Sequence, residues 1–125
     1  MAEIQNSKPY DLEKRTLDFA KRTRVLVNKL SRTISNIEDG KQLTRSSGSV
    51  GANYIEANEA LSKKDFVMRI MIASKEAKES RYWFNLVDTK ENGILEKERQ
   101  SLIQEATELM MILSSIMRKS TQKPQ

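Results

Sequence analysis

The sequence predicts an all-α chain folded as an up-down-up-down antiparallel four-helix bundle. Three observations lead there. Only four glycines and two prolines occur in 125 residues, and both prolines, Pro9 and Pro124, lie near the ends. Long helices are the expected result of so few breakers. Apolar residues recur at intervals of three and four along four separate stretches, which is the period of one helix face. The connections between those stretches are short, which favours antiparallel neighbours.

The first helix is expected over residues 11–39. It starts just after Pro9, and its stripe is Leu12, Thr16, Phe19, Thr23, Leu26, Leu30, Ile34 and Ile37. Gly40 is placed to close it in the left-handed C-cap conformation. The second helix, 41–61, carries Leu43, Ser47, Val50, Tyr54, Ala57 and Leu61 on one face. Gly48 and Gly51 lie inside it, and each costs about 1 kcal/mol relative to Ala. They are read as small residues at a tight helix–helix contact. Asn53, beside the stripe, is expected to hydrogen-bond across helices and fix their register. Ser62 and Asp65 form a capping pair for the third helix, 64–88, whose core line is Phe66, Ile70, Ala73, Ala77, Phe84 and Val87. A turn-rich polar cluster ends that helix at 88–93. The fourth helix, 95–118, shows Leu102, Ala106, Leu109, Leu113 and Ile116, broadened by Ile103, Met110 and Met117. Residues 11–119 are expected to be one domain, with 1–10 a flexible N-terminal arm and 120–125 a flexible tail.

Composition narrows the chemistry. The chain has no cysteine and no histidine, which removes disulfides, thiolate metal sites and the commonest general base. Glu56, Glu59, Glu76 and Glu79 invite comparison with carboxylate-bridged metal sites in bundles, but those sites need Glu-x-x-His pairs. These carboxylates read as polar-face residues or as partners for Arg45 or Arg69. Gly48-Ser49-Val50-Gly51 lacks the Lys-Ser/Thr of a phosphate-cradling loop. No metal, cofactor or enzymatic activity is expected. The first eight residues carry no apolar leader-like run, and no stretch approaches the roughly 18–20 apolar residues that span a bilayer. The expectation is a cytoplasmic protein with no membrane partner.

Net charge is +5, from 22 basic and 17 acidic side chains. Residues 11–37 hold seven basic residues against three acidic ones, net +4. Arg15, Arg22 and Lys29 recur every seven residues and form a line flanking the core stripe. Lys14, Lys21 and Arg32 lie on the side opposite the core. These six are either a solvated helix face or a nucleic-acid-binding stripe whose phosphate contacts are sequence-independent and salt-sensitive. No aromatic is interleaved with them, so base stacking is not expected there.

The third helix has more apolar surface than one core face requires. Met68, Ile72, Trp83 and Leu86 project opposite the core line, with Met71 and Tyr82 beside them. A helix apolar nearly all round is buried nearly all round. Either this face is a homo-oligomer interface anchored by Trp83, or the helix is central and the N-terminal arm covers its back.

One stretch also carries a family resemblance. Arg45-Ser46, Ser49-Val50, Ala52-Asn53 and Glu56-Ala57 resemble the second-helix signature of bacterial four-helix-bundle proteins often encoded in intervening sequences of large-subunit ribosomal RNA genes. The resemblance spans residues 12–118. Many relatives place a glycine where Asn58 stands here. It implies the same bundle and a homopentameric ring. The family also resembles accessory proteins of diversity-generating retroelements, which implies RNA or DNA binding and association with a reverse transcriptase. Two functions are therefore expected to compete. The first is a non-enzymatic homo-oligomer binding nucleic acid or a nucleoprotein through basic surfaces. The second is a structural or adaptor oligomer for a protein partner.

Overall fold

The structure, a computed structural model, describes residues 11–122. The expected N-terminal arm and residues 123–125 lie outside the described residues. Four helices follow in order: α1 (Leu12–Lys29), α2 (Ile34–Asn58), α3 (Lys63–Leu86) and α4 (Gly93–Thr121). Each packs on its neighbours in sequence, α4 closes on α1, and the most extensive contacts join α3 to α2 and to α4. Cross-helix pairs show the antiparallel register. Arg15 meets Glu105 and Arg22 meets Glu98, so seven residues up α1 correspond to seven down α4. Ser74 with Ser114 and Arg81 with Thr107 repeat that relation between α3 and α4. This is the expected all-α four-helix bundle, and none of its described helices is long and apolar enough to cross a membrane.

The core follows the predicted stripes. Leu12, Phe19, Leu26, Leu43, Val50, Ile70, Phe84, Leu102, Leu109 and Leu113 are fully buried. Burial of each large side chain stabilises by roughly 1.5–3 kcal/mol. Phe19 and Phe84 meet edge to face across the bundle with centroids 6.1 Å apart. Small residues let α3 sit close to both flanking helices. Ser46 and Ser80 pair at 2.8 Å toward α2, and Ser74 pairs with Ser114 at 2.8 Å toward α4. Buried hydroxyls need such partners. Thr16 and Thr23, also buried, bond back to the carbonyls of Leu12 and Phe19.

The first helix break differs from expectation. α1 ends at Lys29 and α2 begins at Ile34, so residues 30–39 are not a continuation of α1. Leu30 turns extended and remains buried as the last stripe residue. Thr33 then caps α2 by accepting the Asn36 N–H at 3.1 Å, which satisfies one of the unpaired first-turn amides. Gly40 is therefore not a C-cap. It lies buried in α2, where an added Cβ would meet Val27 Cγ1 at 3.0 Å. Ile34 is correspondingly 85% exposed.

The other boundaries shift less. α2 ends at Asn58, with the Glu59 N–H tightening onto the Glu56 carbonyl, so Leu61 falls in the connection and is fully exposed. Ser62 accepts the Asp65 N–H at the start of α3. Asn92 caps α4 through the N–H groups of Ile94 and Leu95, so the helix starts at Gly93. It runs to Thr121, and residues 120 and 121 are helical rather than tail.

The α3–α4 connection contains two successive left-handed residues, Lys90 (φ 55°) and Glu91 (φ 61°). Neither is glycine, and each such conformation costs roughly 1–2 kcal/mol. Local bonds hold the turn: Lys90 N–H to Asp88 Oδ1 at 2.7 Å, and Asn92 N–H to the Thr89 carbonyl at 3.0 Å. The buried Asn36 side chain ties it to the α1–α2 connection. Its amide donates to the Ser31 and Asp88 carbonyls, and its oxygen accepts the Asp88 N–H.

Candidate nucleic-acid interface

The heptad line on α1 does not face solvent as a basic stripe. The Arg15 guanidinium donates to Glu105 through two nitrogens, at 2.7 and 2.9 Å, and to Glu108 at 2.7 Å. The bond to Glu105, working against burial, raises the Arg15 pKa above its ordinary value. Glu108 is held below the usual carboxylate range by Gln104 and then by Arg15. Arg22 donates to Glu98 at 3.1 Å and to Ser101 at 2.8 Å. Arg15 and Arg22 thus clasp α1 to α4, and their charge is matched by α4 carboxylates. Lys14 pairs with Asp18 on its own helix, exposed on both sides. Lys21, Lys29 and Arg32 are exposed and, among the described residues, have no carboxylate within ion-pair distance.

The basic surface that the fold assembles lies instead between α1 and α2. A groove of about 760 Å³ runs along the C-terminal half of α1, the 30–33 connection and the first half of α2. Arg24, Arg32, Lys41 and Arg45 line it, and no carboxylate does. Asn28, Ser31, Thr44 and Ser49 add neutral polar groups.

Each cation is positioned by a local feature. Arg24 donates to the Ala20 carbonyl and reaches the Thr44 carbonyl at 3.5 Å. It lies over Gly48, where an added Cβ would stand 3.3 Å from its Nη2. Gly48 thus seats a guanidinium against α2. Gly51 makes the close helix contact itself: an added Cβ would stand 2.8 Å from Thr16 Oγ1. Lys41 pairs with Glu38 at 3.3 Å. Arg45 reaches across to Glu76 at 3.3 Å and to Glu79 on α3. Burial pulls the Arg45 pKa down, and its carboxylate partners more than offset this, so it ends above its ordinary value.

Asn53 bonds across helices as expected: its carbonyl oxygen accepts from Arg69 on α3 at 3.2 Å while its amide donates to Ser49. Of the expected interface residues on α3, Met68 and Leu86 are 42% and 48% exposed, and Ile72 is half-buried. Trp83 is less available than expected. It packs against the core, and its indole N–H donates to Glu79 at 3.0 Å. That bond is the leading reason the Glu79 carboxyl sits below the usual range.

Arg24, Lys41 and Arg45 were not in the expected binding set. The break at 30–33 brings them together with Arg32, because it folds the start of α2 back along α1. The signal available in the sequence was the Ser31-Arg32-Thr33 run with Asn36 three residues on.

A family model described as 23S rRNA-intervening sequence protein matches residues 9–115. Among solved structures, one resembles this chain with a TM-score of 0.71 and 33% identity, covering 85% of this chain and 94% of the other. It is a protein of unknown function from the S23 ribosomal protein family of Bacteroides thetaiotaomicron VPI-5482. A search of curated proteins finds no match.

Proposed function

This chain belongs to the 23S rRNA-intervening sequence protein family, and on that premise we propose that it is a non-enzymatic, homo-oligomeric nucleic-acid-binding bundle. The α1–α2 groove is its phosphate-contacting face. One observation carries the reading: four cations from two helices and their connection line one groove, and two of them, Arg24 and Arg32, have no carboxylate within ion-pair distance among the described residues. Such a face attracts phosphates without reading bases. Self-association uses the outward side of α3, where Met68 and Leu86 expose apolar surface opposite the core. A cytoplasmic location and a nucleoprotein partner, such as a reverse transcriptase complex, belong to the same reading.

The test is binding to random RNA and DNA across a salt series. Two contacts from the unpaired Arg24 and Arg32, rising to four if Lys41 and Arg45 exchange their carboxylates for phosphates, give a slope of log K against log[salt] of about −1.5 to −3.5. The Arg24→Glu/Arg32→Glu variant is expected to lose most of the affinity. Arg15→Ala/Arg22→Ala is expected to keep it and lose stability instead. The reverse pattern would remove the groove from the reading. A protein that binds neither RNA nor DNA at low salt, while still associating through α3, would be the adaptor oligomer that the apolar α3 face also supports.

A further inference from the structure

A second surface carries the two features that the α1–α2 groove lacks in combination. On the flank of α3 toward α4, Lys75, Lys78, Arg81, Tyr82 and Asn85 surround a shallow recess of about 460 Å³. Tyr82 is 59% exposed. Lys75 and Lys78 are exposed, and no carboxylate among the described residues lies within ion-pair distance of either. Arg81 is held in place by Thr107 of α4 at 3.2 Å through a single nitrogen, and the guanidinium keeps further donors. Glu79 also borders the recess, but its carboxylate is engaged by Arg45 and Trp83 on the α2 side. Three cations therefore frame one exposed aromatic ring. Trp83 fixes that ring edge to face, with centroids 5.1 Å apart.

We infer that this flank of α3 is a stacking platform for single-stranded nucleic acid: a base lies on Tyr82 while Lys75, Lys78 and Arg81 contact the flanking phosphates. The inference rests on the nucleic-acid reading above and adds to it a preference for unpaired bases. A duplex keeps its bases stacked internally and offers only phosphates. A single strand offers both a π-face and phosphates to a cationic surface that carries an aromatic. The platform adjoins the sector proposed for self-association, because Tyr82 stands one helical turn before Leu86 and Lys75 two turns after Met68, so the solution mass is measured with the affinity.

The chain supplies its own reporter, because Trp83 is the only tryptophan. A short single-stranded oligonucleotide, RNA and DNA in separate arms, is titrated against the full chain alongside a duplex of the same sequence. Saturable change in Trp83 emission is expected with the single strands and not with the duplex. Tyr82→Ala should weaken single-strand binding about 5- to 150-fold and leave duplex binding unchanged, the range expected for losing one stacked base. Tyr82→Phe should retain binding. With Tyr82 largely exposed, the alanine variant is expected to fold, and circular dichroism verifies it. Unchanged single-strand affinity in Tyr82→Ala overturns the inference. So does a fall in solution mass without a fall in affinity, which would make Tyr82 a subunit contact. Both outcomes leave the groove reading standing. A wild-type chain that binds no nucleic acid at low salt defeats that reading itself.

Discussion

Replacing Gly51 and Gly48 separately by alanine should move stability in opposite directions, although the two lie three residues apart on one helix. Both substitutions remove a helix-interior glycine, worth about 1 kcal/mol in favour of the variant. They differ in what the new methyl group meets. At Gly51 it would stand 2.8 Å from Thr16 Oγ1 and 3.1 Å from Thr16 Cβ, well inside ordinary contact. Thr16 is fully buried, and its hydroxyl is bonded to the Leu12 carbonyl at 2.7 Å. Relief requires either separating α1 from α2 or turning the threonine away from that bond. Overpacking of this kind costs about 1–3 kcal/mol, and the lost hydrogen bond adds about 1 kcal/mol. The net expectation for Gly51→Ala is destabilisation of roughly 1–3 kcal/mol after the propensity gain. At Gly48 the neighbour is the end of the exposed Arg24 side chain, 3.3 Å away, which can swing aside. Gly48→Ala should therefore stabilise by about 0.5–1 kcal/mol while moving Arg24 off α2 and weakening nucleic-acid binding. Urea unfolding followed by circular dichroism at constant m separates the two. A Thr16→Ala background should relieve the Gly51→Ala penalty by about 1 kcal/mol in a double-mutant cycle. If Gly51→Ala is as stable as the parent, or the two variants are indistinguishable, the close-approach reasoning is wrong.

Three further outcomes are expected. Arg15→Ala should lower stability by about 1–2 kcal/mol, above the usual range for exposed ion pairs, because the contact is bidentate and partly buried. Thermal unfolding checks this, with a drop of a few degrees expected. Asn36→Ala should cost about 2–3 kcal/mol through the unsatisfied Asp88 N–H and carbonyl, with faster amide exchange at Asp88 as a local signature. Glu96 carries the acid-limb prediction. Hydrogen bonds from Arg99, then Gln100 and Thr89, hold its carboxyl at about 2, down from 4.5. A folded-state pKa below the unfolded one gives stability that is present above about 4.5 and lost as pH falls toward 2. Melting temperature should therefore fall less between pH 5 and pH 2 in Glu96→Gln than in the parent.

Periodicity made the bundle legible. Leu12 to Leu30, Leu43 to Ala57, Ile70 to Phe84 and Leu102 to Leu113 are buried where the three-and-four spacing placed them. Gly51 at the α1–α2 contact and Asn53 across helices were readable from size and hydrogen-bonding capacity. The first helix break was not, because Gly40 is a stronger breaker on paper than Thr33. In the fold, the room that Gly40 leaves is filled by Val27. That misplacement hid the groove, since Arg32 and Lys41 border it only when the chain reverses between them. Arg15 and Arg22 were legible as a line flanking the core. Their fate was not, because the matching carboxylates stand on α4 about 80 to 90 residues away, where only three-dimensional register brings them. On α3, the sequence showed too much apolar surface but not how it divides. Trp83 turns inward to Glu79, and Tyr82 stays outward among lysines.

The Asn36 clasp also makes the two ends of the bundle unequal. At one end the α1–α2 and α3–α4 connections are joined by three hydrogen bonds from a single buried side chain. At the other end the 59–62 connection carries a fully exposed Leu61 and joins only α2 to α3. Local opening should begin at the Leu61 end and travel toward Asn36, so the slowest-exchanging amides should lie at the clasped end. Cutting the chain at residues 60–61 should be tolerated. A cut within 30–33 or 87–91 would free α1 or α4 from its hairpin partner and disturb the Asn36 clasp as well.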